Sequence, residues 1–541
     1  MAPTVAPSPS QQLLRGRAAA LALSVAATGA FALWNPPLRD LAAHTFRADY
    51  FQHYGLALWN ASWYGGEYML TYSVLFPPLS ALLTPIGAGA ASAVACAYLF
   101  DRLVRTHWGE RARLASLWFA VLGSLALLAN GWLAFALGAA FALGALRALQ
   151  IGRRAVSCCA ALACALASPV AAVFLALVLV AGGLARGTER ARIPVAVASL
   201  SLVPIVLLAL VFPEAGRFPF WFSAYWPLAL TCGLALLAIK DLPQERELRA
   251  VLIGYLALGT LLWLVPNPVG GNMTRLGSLF AGPVLGAVVL ARPIRAPRAL
   301  VLAALGVAFA WQVVTPLPDT FQSLGDPSTA RQYYAPLESW LEAHGGARDR
   351  IEIPYTFNHW ETAYLAPHFQ LARGWLRQAD IARNKLFYDG HLTSSRYRRW
   401  LQANGISFVA MADSRLDYSA QKEARLVRSE PPYLRLRGTP GHWRVYEVRG
   451  TGRMVAPRGG GSARLASLGP ESFTLRVSQP GSFLVRVRAT PYWRVAEGPA
   501  CVGADGQWTR VRAPEAGIVR VVTRFSPTGA LDAATRQATD C

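Results

Sequence analysis

Eleven apolar runs, each closed by a short hydrophilic break, occupy the first 315 residues and leave this chain few ways to fold. They lie near 18–34, 86–101, 114–130, 131–148, 155–168, 169–185, 194–212, 223–240, 249–266, 277–291 and 299–315. Segments this apolar belong in a bilayer, where a spanning stretch must satisfy its own backbone and is therefore helical. The sequence thus predicts a polytopic α-helical membrane protein of about eleven transmembrane helices. At 54% hydrophobic and 15% charged over 541 residues, the composition excludes one soluble globule.

The net charge of +22 suggests nucleic acid at first sight, but 22 of the 52 basic residues precede residue 316, mostly in the breaks between apolar runs. They cluster in alternate connections: Arg102, Arg105, Arg111 and Arg113; Arg147, Arg153 and Arg154; Arg186, Arg190 and Arg192; Lys240, Arg246 and Arg249; Arg292, Arg295 and Arg298. The positive-inside rule makes that side cytoplasmic. Residues 1–17 are then a cytoplasmic N-terminus, 18–315 a plasma-membrane domain with a first external loop at 35–85, and 316–541 extracytoplasmic. No nucleic-acid partner is expected, because the remaining 30 basic residues form no dense tract.

Past residue 316, helical patterns at 328–344 and 394–404 alternate with short strands at 350–354, 406–411 and 443–448, which predicts an α/β domain over 316–457. The glycine run at 459–461 reads as a flexible break. Alternating apolar and polar residues at 472–477, 482–489 and 517–525 predict a small β-sandwich over 458–541. Five cysteines lie in apolar runs; Cys501 and Cys541 lie in the tail, where an oxidising compartment permits a disulfide.

Titratable groups that could carry chemistry are few. Asp49 and His53 stand four apart on a helical stretch of the first loop, close enough for an oriented general base or half a metal site. The competing reading is an acid that caps or solvates an interfacial helix. Downstream, Trp63, Tyr64 and Glu67 lie in an aromatic, glycine-rich turn suited to a sugar or, equally, to the headgroup level. Arg275, with Asn272 three residues before it, sits at the start of the tenth run, as a clamp for a lipid phosphate or as a snorkelling anchor. In the tail, His359 and Glu361 follow the 350–354 strand and, with residues 388–391, could line an acceptor cleft. Zinc-type spacing, a phosphate-binding glycine loop, a nucleophile elbow and a dinucleotide fingerprint are all missing from the sequence, which removes most soluble enzyme classes.

The stretch Arg47-Ala48-Asp49-Tyr50-Phe51-Gln52-His53, the Trp63-Tyr64-Gly65-Gly66 and Phe76-Pro77-Pro78 turns, and the many-span body with its external tail together resemble the GT-C superfamily of membrane glycosyltransferases. Tail segments 358–365, 373–375 and 491–494 are similar to bacterial proteins of this type, including YfhO-like ones. The resemblance implies an inverting transferase that moves a sugar from a polyprenyl-phosphate donor to an envelope glycan, lipid or protein acceptor on the outer membrane face. Asp49 matches the family's first-loop acid, with His53 as its orienter and Arg275 as the phosphate clamp. Many members carry a second acid beside the first; here the neighbours are Ala48 and Tyr50, so a divalent cation, Mg or Mn, is an open expectation. A transporter and a non-catalytic glycan-binding envelope protein are the alternatives. The predicted spans hold almost no charge away from their ends, which disfavours ion-coupled transport.

Overall fold

A computed structural model describes residues 9–214, 216–346, 349–535 and 541. Of the expected cytoplasmic N-terminus, residues 1–8 lie outside the described residues. The chain divides into two compact units. The helical unit comprises the described residues of Met1–Leu38, Ser73–Val206 and Arg217–Phe321; the mixed unit comprises Arg39–Tyr72, Leu207–Gly216 and the described residues of Gln322–Cys541.

All eleven apolar runs are helical, ten of them wholly within the first unit, but length separates them. Seven helices among the described residues are long and apolar enough to cross a membrane, or up to nine if each of two broken helix pairs counts as one span. By length and composition seven to nine helices qualify, against the eleven expected, and two shorter apolar helices account for the difference. The helices Arg154–Ala167 and Pro169–Ala185 have only 14 and 17 residues, against the ~20 that a perpendicular crossing needs. Ser168 divides them in an extended conformation, its side chain accepting the Ala171 N–H at 3.4 Å, and Pro169 starts the second. A second break falls at Thr84, whose φ of 62° ends Phe76–Leu83 before Pro85 opens the helix Pro85–Trp108. Small residues line the packed faces, including Ala93, Cys96, Ala136, Ala139 and Ala161, so backbones approach closely without a hydrophobic drive from water.

The mixed unit holds four sheets besides some short helices. A two-residue hairpin pairs β1 (Trp59–Asn60) with β2 (Glu67–Tyr68). The five-stranded sheet contains β3 (Arg350–Glu352), β4 (Gln370–Leu371), β5 (Ile406–Ala412), β6 (Leu434–Gly438) and β7 (Trp443–Val448). Its order is β4-β3-β5-β7-β6, parallel among the first three and antiparallel beyond. The predicted strands at 350, 406 and 443 thus become three neighbours in one sheet.

The third element is a sandwich of two four-stranded sheets. It uses β8 (Val455–Pro457), β9 (Ser462–Leu468), β10 (Ser472–Gln479), β11 (Gly481–Arg488), β12 (Trp493–Glu497), β13 (Cys501–Asp505), β14 (Trp508–Ala513) and β15 (Gly517–Thr523), ordered β12-β15-β10-β9 and β13-β14-β11-β8. Alternate residues such as Phe473, Leu475, Phe483, Val485, Val511 and Val521 fill the space between the sheets. Cys501 and Cys541 are disulfide-bonded, with Cα atoms 5.7 Å apart. The glycine run expected to separate domains is instead the β8–β9 turn. Gly459, Gly460 and Gly461 all adopt positive φ, which a side chain would resist.

The first loop also departs from its expected place. Residues 39–72 belong to the mixed unit, and Trp59 and Tyr68 share the sandwich core with Tyr492 and Trp493. Aromatic burial explains this: each such ring removes a large apolar area from water.

Candidate functional site

The helix Arg39–Tyr54 organises the first loop. Asp40 lies in its first turn and His53 in its last, both favourable to the helix dipole, and Leu41, Ala42, Phe46 and Tyr50 form its buried face. Phe46 stacks on Trp63 with centroids 4.3 Å apart, and the Tyr50 hydroxyl donates to the Trp59 carbonyl at 2.6 Å.

Asp49 points away from that buried face, with 44% of its side chain exposed, and His53 beside it is 63% exposed. The His53 Nδ1 atom lies 2.9 Å from the Asp49 main-chain oxygen and 3.6 Å from Oδ1. The imidazole is thus tied to the helix backbone, with the carboxylate at ion-pair distance and open to a ligand. No other acid on this helix is placed so: Asp40 lies in its first turn, nine residues before Asp49.

The opposite face carries a residue that the sequence did not single out. Arg47 is buried between the rings of Trp63 and Tyr72, at 5.2 and 4.5 Å, and its Nε and Nη1 have no hydrogen-bond partner. Glu67 is buried too; its Oε1 accepts from Asn60 Nδ2 at 3.3 Å while Oε2 has no partner. Burial pushes the Glu67 carboxyl up to about 7 against the pull of Arg47. Orphaned buried donors are costly, so a guanidinium in this state is set to receive an acceptor.

Trp63 and Tyr64, expected to face a sugar or the headgroup level, are core residues. The Trp63 indole donates to the Thr362 carbonyl at 3.3 Å, and the Tyr64 hydroxyl donates to the Gly374 carbonyl. Hydrophobic burial against the five-stranded sheet outweighed their interfacial preference. Gly374 makes room for it, since a Cβ there would lie 2.3 Å from the Trp63 ring.

His359 and Glu361 are also buried, and line no cleft open to solvent. His359 stacks on Trp375 at 3.6 Å, with Nε2 3.4 Å from Asp417 Oδ2 and Nδ1 3.8 Å from Glu361 Oε1. Asp417 receives a two-point pair from Arg377 at 3.1 and 2.9 Å and a third bond from Arg39 Nη2 at 2.8 Å. Arg39 also donates to the Phe357 carbonyl at 3.0 Å. This network anchors the start of the first-loop helix. Burial lowers His359 to about 3, keeping it neutral, and raises Glu361 to about 8. Burial would raise Asp417 as well, but His359 and Arg377 hold it far below the carboxylate range.

Asn272 and Arg275 lie on one turn of the helical unit. Asn272 Nδ2 donates to the Val269 carbonyl at 3.0 Å, and the Arg275 guanidinium sits over Trp132 and Phe135 at 5.0 and 5.4 Å. Asp49 belongs to the other unit. A divalent cation fits poorly. Among the described residues no group of three or more His, Cys, Asp or Glu side chains is placed to hold a metal ion, and Asp49 with His53 supplies two donors only.

No family model and no curated protein matches the chain. Among solved structures, it is similar to the arabinofuranosyltransferase AftD from Mycobacteria, with a TM-score of 0.48 and 18% identity over 84% of this chain and 41% of that one. A mutant form of AftD gives 0.46 and 16% over 97% and 60%. The chain is thus shorter than AftD, spanning 41% to 60% of its length. Seven to nine candidate membrane helices and a β-rich C-terminal region fit a multi-pass membrane protein.

Proposed function

We propose that this protein is an inverting glycosyltransferase of the GT-C type, moving a hexosyl or pentosyl group from a polyprenyl-phosphate donor to an envelope glycan, lipid or protein acceptor at the outer face of the plasma membrane. The observation that carries the reading is Asp49, a lone exposed carboxylate on a first-loop helix whose other face is locked into a folded unit. Rigid support is what a base needs, because a small misplacement costs much of the rate.

In this reading Asp49 accepts the proton of an acceptor hydroxyl as its oxygen attacks the anomeric carbon. The bond from that carbon to the phosphate oxygen breaks on the opposite face, and the electron pair leaves with the polyprenyl phosphate. A phosphate leaving group needs charge stabilisation and no proton, so one base and one cation suffice. His53 orients Asp49. No step requires a metal ion.

The test is an envelope glycan profile of a deletion strain complemented with wild type, Asp49→Asn or Asp49→Glu. Asp49→Asn should lose activity by 10²–10⁴-fold, the usual worth of a general base. Full restoration of the missing glycan by Asp49→Asn would remove the catalytic assignment and favour a glycan-binding protein.

A further inference from the structure

The helical unit encloses a cavity of about 780 Å³ that the transfer reaction leaves unused. Its wall follows the helix Pro169–Ala185 from Ala171 through Phe174, Val178 and Gly182 to Arg186 just beyond it. Fifteen residues at 1.5 Å rise make the slot about 22 Å long, most of a bilayer's hydrocarbon depth of ~30 Å. Such a volume drawn out over that length is narrow and chain-shaped, and its lining is overwhelmingly apolar.

One end alone is charged. His107, Arg154, Arg186, Arg190, Glu245 and Glu247 surround it. Arg186 is neutralised by Glu247 at 2.6 Å, and Glu245 by Arg292 at 2.8 Å with a further bond from Trp108 Nε1 at 3.0 Å. Arg154 and Arg190 are exposed and make no ion pair among the described residues. The mouth therefore keeps two uncompensated positive charges above an apolar shaft. It also lies at the C-terminal end of the helix Pro85–Trp108.

We infer that this slot is a binding site for an anionic phospholipid, separate from the sugar donor, with the acyl chains in the shaft and the phosphate headgroup between Arg154 and Arg190. Charge complementarity selects the headgroup, and shape selects the chains. Each arginine near a headgroup strengthens anionic lipid binding by roughly five-fold, so the pair should favour an anionic over a zwitterionic lipid by roughly thirtyfold.

The test is native mass spectrometry of the full-length protein in detergent, titrated with phosphatidylglycerol, phosphatidylcholine or inorganic phosphate. Wild type should retain one phosphatidylglycerol and prefer it roughly thirtyfold over phosphatidylcholine. The surface double variant Arg154→Gln/Arg190→Gln should lose that preference and keep weak binding of both lipids. Gly182→Leu should lose both: a Cβ there meets only Val251 Cγ2, at 3.9 Å, so a larger side chain grows into the slot. Equal retention of the two lipids by wild type, competition by inorganic phosphate alone, or unchanged lipid retention in Gly182→Leu would each overturn the proposal. Asp49→Asn should retain the lipid like wild type, so loss of transfer and loss of this site read separately.

Discussion

Arg373 and Asp380 meet as a two-point ion pair, with Nε 3.1 Å from Oδ1 and Nη2 2.7 Å from Oδ2, and both side chains are buried. The guanidinium lies between the rings of Tyr355 and Phe387 at 3.8 and 4.1 Å, while Asn384 and Tyr388 donate to the carboxylate. Glu423 Oε2 accepts a further bond from Arg373 at 3.3 Å. Removing one partner of such a pair strands the other charge away from water. Asp380→Asn should destabilise the mixed unit by about 3–5 kcal/mol, read as a lowered thermal midpoint in detergent. A midpoint equal to wild type would show that the neighbouring glutamates take over the pairing.

Stability should fall as pH rises from about 6.5 to about 8. Glu361 and Glu67 have folded-state values of about 8 and 7 against 4.5 unfolded, so over this window the folded chain binds more protons than the unfolded one. His359, lowered from 6.5 to about 3, acts in the opposite sense but only below about 6.5. Thermal midpoints measured from pH 6 to 9 should decline, with a slope of at most about 1.4 kcal/mol per pH unit for each group. Glu361→Gln should flatten the upper part of that decline; an unchanged slope would mean that Glu361 does not titrate there.

Asp49→Asn should separate activity from folding. The carboxylate is exposed and touches little, so the thermal midpoint should stay within about 0.5 kcal/mol of wild type while transfer falls. His53→Ala, acting through Asp49, should cost about 10–100-fold and shift the pH dependence of the residual transfer. An unfolded Asp49→Asn protein would assign this acid to the fold and not to the reaction.

Gly374→Ala should loosen the first loop. A Cβ there would lie 2.3 Å from Trp63 Cγ and 2.5 Å from its Cβ, too close without moving the indole. Overpacking of this kind costs about 1–3 kcal/mol. Limited proteolysis should then cut within 59–68 faster than in wild type; equal rates would show that the indole can move freely.

Local periodicity determined a good deal of this protein. Each of the eleven apolar runs is a helix, 394–404 is a helix, and the strands at 350, 406, 443, 472, 482 and 517 all formed where alternation placed them. The four-residue spacing of Asp49 and His53 also held, because a helix turn fixes it regardless of what surrounds it. Tertiary structure alone decided which polar and aromatic residues meet solvent. Trp63 is buried against Phe46 and bonded to Thr362, 299 positions away, and His359 is enclosed by Trp375 and Asp417. Such burial depends on contacts between segments hundreds of residues apart, and the spacing of residues along one segment carries no record of them. The same holds for the apolar slot and its two unpaired arginines, which exist only once the helices have packed.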